Sequence, residues 1–238
     1  MTVQTMEKRS IVGAAALLVA IAAGVLAFVF WPSGEPPARP HRPPTAYADI
    51  LKIDVHVHVP ESRVEEAVAV FRRHGVRLAL NANGGAAHPG LLPYCHVSFE
   101  RVEEPDFAEY VATTLGSCDA NGGIGLKIGK SLGLGTRLDD GSLLRVDDPR
   151  LDVVFETART LGLPVLIHTG DPQAFFRPST PDNERYAELR AHPGWSFYGE
   201  GWPSWEELFA QYEARVARHP QTTFVGAHFG NAPEEPER

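Results

Sequence analysis

From residue 46 onward this chain alternates strand-like and helix-like patterns, and that alternation limits its fold more than any other feature. Runs rich in Val, Ile and Leu are predicted as strands at 50–59, 76–82, 96–102, 124–129, 164–168 and 223–228. Between them, apolar residues recur at helical spacing over 61–74, 105–120, 149–161 and 204–218. Repeated β–α units require a parallel sheet. Right-handed crossovers then allow a doubly wound sheet or a (β/α)8 barrel.

The polar residues choose between these two. The stretch Lys52-Ile53-Asp54-Val55-His56-Val57-His58-Val59-Pro60 alternates polar and apolar with period two, so the first strand has two unlike faces. Val55, Val57 and Val59 fall on one face, and Asp54, His56 and His58 on the other. Imidazoles two residues apart on a strand project the same way, about 6–7 Å apart along the backbone, and can converge on one metal ion. Lys127 lies in the fourth strand, His168 closes the fifth before Thr169-Gly170-Asp171, and His228 closes the sixth before Phe229-Gly230. A histidine closing an apolar strand is costly unless it is satisfied. Polar residues at the carboxyl ends of several strands are the layout of a barrel enzyme.

With these residues in view, the chain resembles the amidohydrolase superfamily over roughly residues 50–233. The likeness is to the amidohydrolase-related branch that includes aminocarboxymuconate-semialdehyde decarboxylase. Its most specific parts are Asp54-Val55-His56-Val57-His58 and the strand-terminal His168 and His228. The resemblance implies a TIM-type (β/α)8 barrel with a divalent metal, zinc first, held by His56, His58 and His168. It implies a catalytic role for His228, with Lys127 on the strand that supplies a carboxylated lysine in binuclear members. The reaction implied is metal-dependent hydrolysis of a small molecule through an activated water. Decarboxylation by the same branch is the alternative. Asp171 is a further candidate near the metal, and Arg177 one for an anionic substrate. Only six of eight strands are counted, and no residue matches the family's last aspartate ligand. Residues 46–238 therefore read as a C-terminally incomplete barrel. A non-catalytic metal- or ligand-binding protein, or an inactive fragment, is the third reading.

Other features assign compartment and partners. Residues 11–31 form a run of 21 residues without charge or proline, long enough to cross a bilayer of about 30 Å. Lys8 and Arg9 precede it, which predicts a cytoplasmic segment 1–10 and an uncleaved signal anchor. The catalytic domain is then expected outside the cytoplasm, with secretion after signal cleavage as the alternative. Six of the fourteen residues at 32–45 are proline, the composition of a stiff linker. The chain has 22 basic and 30 acidic residues among 238 and no long basic run, which argues against nucleic-acid binding. Cys95 and Cys118 have no CxxC spacing and leave pairing open. Asn81 and Asn83 end the second strand, where loops set specificity. The insertion between Phe175 and Pro203 is aromatic and reads equally as a pocket wall or a packed surface loop. His74, His88, His96, His192 and His219 read as loop or helix-end residues.

Overall fold

The computed structural model describes residues 50–230 and 232, all within the unit spanning residues 46–238. The expected cytoplasmic segment, signal anchor and proline-rich linker lie outside the described residues. So do Asn231 and residues 233–238. Among the described residues, no helix is long and apolar enough to cross a membrane.

The strands are β1 (Lys52–Val57), β2 (Val76–Asn81), β3 (Leu91–Pro93), β4 (Leu126–Ile128), β5 (Val165–Ile167) and β6 (Phe224–Gly226). The main helices are α1 (Val64–Arg73), α2 (Phe107–Ala120), α3 (Asp152–Thr160), α4 (Tyr186–Ala191) and α5 (Trp205–Arg218). All strand pairs are parallel, in two sheets ordered β1-β2-β3 and β4-β5-β6. A parallel bridge between Cys95 and Leu126 joins them. The Cys95 N–H donates to the Gly125 carbonyl at 2.7 Å, and the Lys127 N–H to the Cys95 carbonyl at 2.9 Å. Strand order therefore follows chain order across the whole described sheet. A doubly wound sheet would reverse its order at a switch point, and no reversal occurs here.

The third strand differs from the sequence expectation. It lies at Leu91–Pro93, in register with Ala79, Leu80 and Asn81 of β2. Residues 96–102, predicted as that strand, run past its carboxyl end into a 3-10 turn at Phe99–Arg101. A three-residue strand ending in proline carries no periodic signal, while the downstream segment alternates without any neighbour to pair with.

Packing follows the pleat. Leu126, Ile128, Val165 and Ile167 point outward to Val111, Leu115, Val154 and Phe155 of α2 and α3, all at most 1% exposed. Lys127 and Leu166 point the other way. Across the interior, Ala82, Tyr94, Leu166 and Ala227 cluster with Leu80 and Val225. Side chains from β2, β5 and β6 meet there because the sheet curls on itself. On β1 the expected apolar face is divided. Val57 and Val59 pack under α1 with Val64, Ala67, Val68 and Phe71, but Val55 stays exposed with Ile53, because that core cluster does not reach them.

Helix α5 begins with a capping box. Ser204 Oγ accepts from the Glu207 N–H at 3.1 Å, and the Glu207 carboxylate accepts from the Ser204 N–H at 2.8 Å. Arg215 on α5 is fully buried and donates to the carbonyls of Val146 and Asp148 and to Asp152. That ties α5 to α3 and to the loop before it. Burial alone would raise the Asp152 carboxyl, but hydrogen bonds from Arg215, Arg218 and His219 outweigh it and hold the carboxyl below its usual value.

Cys95 and Cys118 form a disulfide, which resolves the pairing left open by their spacing. It joins α2 to the seam between the two sheets. Gly123 is required beside it, since a Cβ there would come within 2.4 Å of Cys118 Sγ and 2.5 Å of Cys95 Sγ.

Candidate metal centre at the carboxyl ends of the strands

Four imidazoles gather at one end of the curled sheet. His56 is in β1 and His58 just beyond it; His168 follows β5 and His228 follows β6. The Nε2 atoms of His56 and His58 are 3.2 Å apart. The rings of His56 and His228 lie 5.2 Å apart, and those of His168 and His228 4.7 Å apart, edge to face. His228 thus stands between His56 and His168. It occupies a left-handed turn, with φ of 53° at His228 and 57° at Phe229, a costly conformation for branched or bulky residues that clusters at functional sites.

Protonation follows from the surroundings. Burial lowers His56 to a pKa of about 4, with the Lys127 ammonium, His58 and His228 adding to the shift and Asp54 opposing it. Burial lowers His168 to about 3, again reinforced by Lys127 and then by His228 and Lys130. Lys127 itself is pushed down to about 8 by burial. Its Nζ donates to the Ile128 carbonyl at 2.7 Å. Near neutral pH, His56 and His168 are therefore uncharged, the form that binds metals.

Among the described residues, no three His, Cys, Asp or Glu side chains already stand in metal-holding geometry. Two donors do converge. Two imidazole nitrogens on one tetrahedral zinc ion lie roughly 3.4 Å apart, given bonds of about 2.1 Å, and the observed 3.2 Å separation fits that spacing. The tautomer also fits. His58 Nδ1–H donates to Asn83 Oδ1 at 2.7 Å, which leaves the Nε2 lone pair facing His56. A ligand histidine ordinarily has its second nitrogen held in this way. Asn83 is placed in turn by Asn81, whose Oδ1 accepts from the N–H groups of Asn83 and Val59 and whose Nδ2 donates to the Val59 and Gly84 carbonyls.

Sequence reasoning placed Asn81 and Asn83 at a strand end where loops set specificity; the Asn83 side chain bonds His58 instead, and the Asn81 side chain bonds the backbone of Val59, Asn83 and Gly84. His96, read as a loop residue, lines a cavity of about 730 Å³ together with His58, Lys127, Lys130 and His168. The misplaced third strand hid it. Asp171 is not turned to the imidazoles as a free carboxylate, because Lys130 Nζ donates to it at 2.6 Å. Arg177 is not part of the cluster. It bonds Gln173 and lines a separate cavity with Asp182 and Glu184. The aromatic insertion packs largely on the body of the domain: Phe175 and Phe197 join the main core, while Trp195 and Tyr198 remain exposed.

No family model matches this chain, and no curated protein matches it significantly. Solved structures do. A Staphylococcus aureus protein assigned as an amidohydrolase is 16% identical, with 78% of this chain aligned to 70% of that one and a TM-score of 0.48. A 2,6-dihydroxybenzoate decarboxylase from Rhizobium is 14% identical over 76% and 67% of the two chains, with a TM-score of 0.46. A dihydroxybenzoic acid decarboxylase from Polaromonas sp. JS666, solved with manganese, is also 14% identical, over 73% and 64%, with a TM-score of 0.44.

Proposed function

We propose that this chain is a metal-dependent enzyme of the amidohydrolase type, built on a (β/α)8-like sheet and acting on a small molecule at the carboxyl ends of its strands. The observation that carries the reading is the convergence of His56 and His58 Nε2 at 3.2 Å, beside neutral His168, with Asn83 fixing the His58 tautomer. His56, His58 and His168 would hold the ion. A divalent ion bound there supplies Lewis acidity and an activated water. The Lys127 ammonium faces the same ring cluster and stabilises negative charge developing on the substrate. His228, next to both His56 and His168, moves the proton. Hydrolysis is the first reading. Decarboxylation of a small acid is the second, favoured by the Lys127 ammonium in the cavity wall.

We also infer that the domain works outside the cytoplasm. The disulfide at Cys95 and Cys118 supports this, because disulfides persist in oxidising compartments. The apolar run at 11–31 after Lys8 and Arg9 supports it too.

The test is metal content after equilibration with zinc or manganese and exhaustive dialysis, followed by turnover of ester, amide and aromatic-acid panels. Wild-type protein is expected to retain a divalent ion and His56→Ala to lose it. Full metal content in the His56→Ala variant would sink the ligand assignment. Carbon dioxide release without hydrolysis would select the second reading.

A further inference from the structure

The β1–β2 ladder slips just where the histidine pair begins. Asp54 pairs with Ala79, but Val57 pairs with Asn81, so three steps along β1 face two along β2. One extra residue on a strand is a bulge. A bulge bends the strand, re-aims its side chains and releases backbone groups from the ladder. His56 lies inside this one.

Two side chains hold the bulged backbone. Asp54 Oδ1 accepts from the His56 N–H at 3.1 Å. Tyr94 Oη donates to the Val55 carbonyl, one residue before His56, at 3.0 Å. Tyr94 follows β3 and reaches β1 across the interior of the curled sheet. Tyr94 is 4% exposed and packs with Ala82, Leu166 and Ala227. Its own N–H donates to the Asn81 carbonyl at 3.0 Å. Gly125 leaves the space for the ring: a Cβ there would come within 2.8 Å of Tyr94 Cε1. The phenol is thus fixed at its backbone, along its ring and at its hydroxyl.

We propose that Tyr94 is the positioning residue for the histidine pair, its hydroxyl pinning the Val55 carbonyl and so setting the direction in which His56 Nε2 meets His58 Nε2. This rests on reading His56 and His58 as metal ligands. Tyr94 acts through the Val55 carbonyl and supplies no ligand. Its loss changes how well the ion is held and in what geometry, not which side chains hold it.

The test is titration of the full-length protein with cobalt(II), whose visible absorption reports coordination geometry as well as binding. Wild type is expected to bind with a defined spectrum. Tyr94→Phe, which removes only the hydroxyl, is expected to bind about tenfold more weakly, as for the loss of other groups that orient metal ligands, and with an altered spectrum. Tyr94→p-aminophenylalanine restores a donor at the same place and is expected to recover both. Wild-type affinity and spectrum in Tyr94→Phe overturn the proposal, as does a folded aminophenylalanine variant that fails to recover them. If circular dichroism shows that Tyr94→Phe does not fold, the aminophenylalanine variant decides by the same two readouts. A wild-type protein that binds no cobalt overturns the metal reading itself, and the positioning role with it.

Discussion

His56 and His168 carry the clearest consequence at the scale of single residues. Each has an ordinary pKa of 6.5, lowered in the fold to about 4 and about 3, with burial as the main cause and Lys127 next. The unfolded chain takes up a proton at each site below 6.5, whereas the folded chain does so only near 4 and 3. Between these values the unfolded state binds more protons, so stability rises with pH and falls on acidification. The metal-free protein is expected to lose thermal stability steadily from about pH 6.5 toward pH 4. Melting curves across that range check it, and a flat melting temperature would argue that the two rings are solvated. Replacing both histidines by glutamine is expected to flatten the slope.

Among the elements, α5 shows how a local signal sets a boundary. Ser204 and Glu207 exchange hydrogen bonds with each other's backbone, and the helix starts where that box closes. Ser204→Ala is expected to cost about 1 kcal/mol, seen as a melting temperature lower by roughly 2–4 °C for a domain of this size. Cobalt binding should be unchanged, because the box lies on the helix and not at the strand ends. The β1–β2 connection shows the opposite case. Nothing in its periodicity announces the bulge between Asp54 and Val57. Only the register against β2 reveals it.

For the whole molecule, the seam between the two three-stranded sheets is the decisive feature. His56 lies in one sheet with His58 just past the same strand, whereas Lys127 lies in the other sheet and His168 and His228 just past its strands. One bridge at Cys95 and Leu126 connects them, and the disulfide anchors that bridge to α2, closing a sequence separation of 23 residues. A loop of that length stabilises the folded state by about 3 kcal/mol through the entropy it removes from the unfolded chain. Reduction with a dithiol, or Cys118→Ser, is therefore expected to lower the denaturant midpoint by a corresponding amount. Equal midpoints for oxidised and reduced protein would show that the bond adds nothing to the seam.

Much of this was legible in the sequence, because strand and helix periodicities are local properties. The α/β parallel architecture, the order of elements and the histidines at strand ends all follow from spacing along the chain. Other features depend on which segments meet. The third strand moved to Leu91–Pro93 because pairing with β2, not alternation, defines a three-residue strand. Asp171 turned to Lys130 and Arg177 to Gln173, since ion pairs and hydrogen bonds form with whatever the fold brings near. Sequence determined that His56, His58, His168 and His228 stand at the ends of apolar strands. Tertiary structure alone decided that the sheet curls far enough for them to meet, because curvature comes from the summed packing of helices outside and side chains such as Tyr94 and Leu166 within.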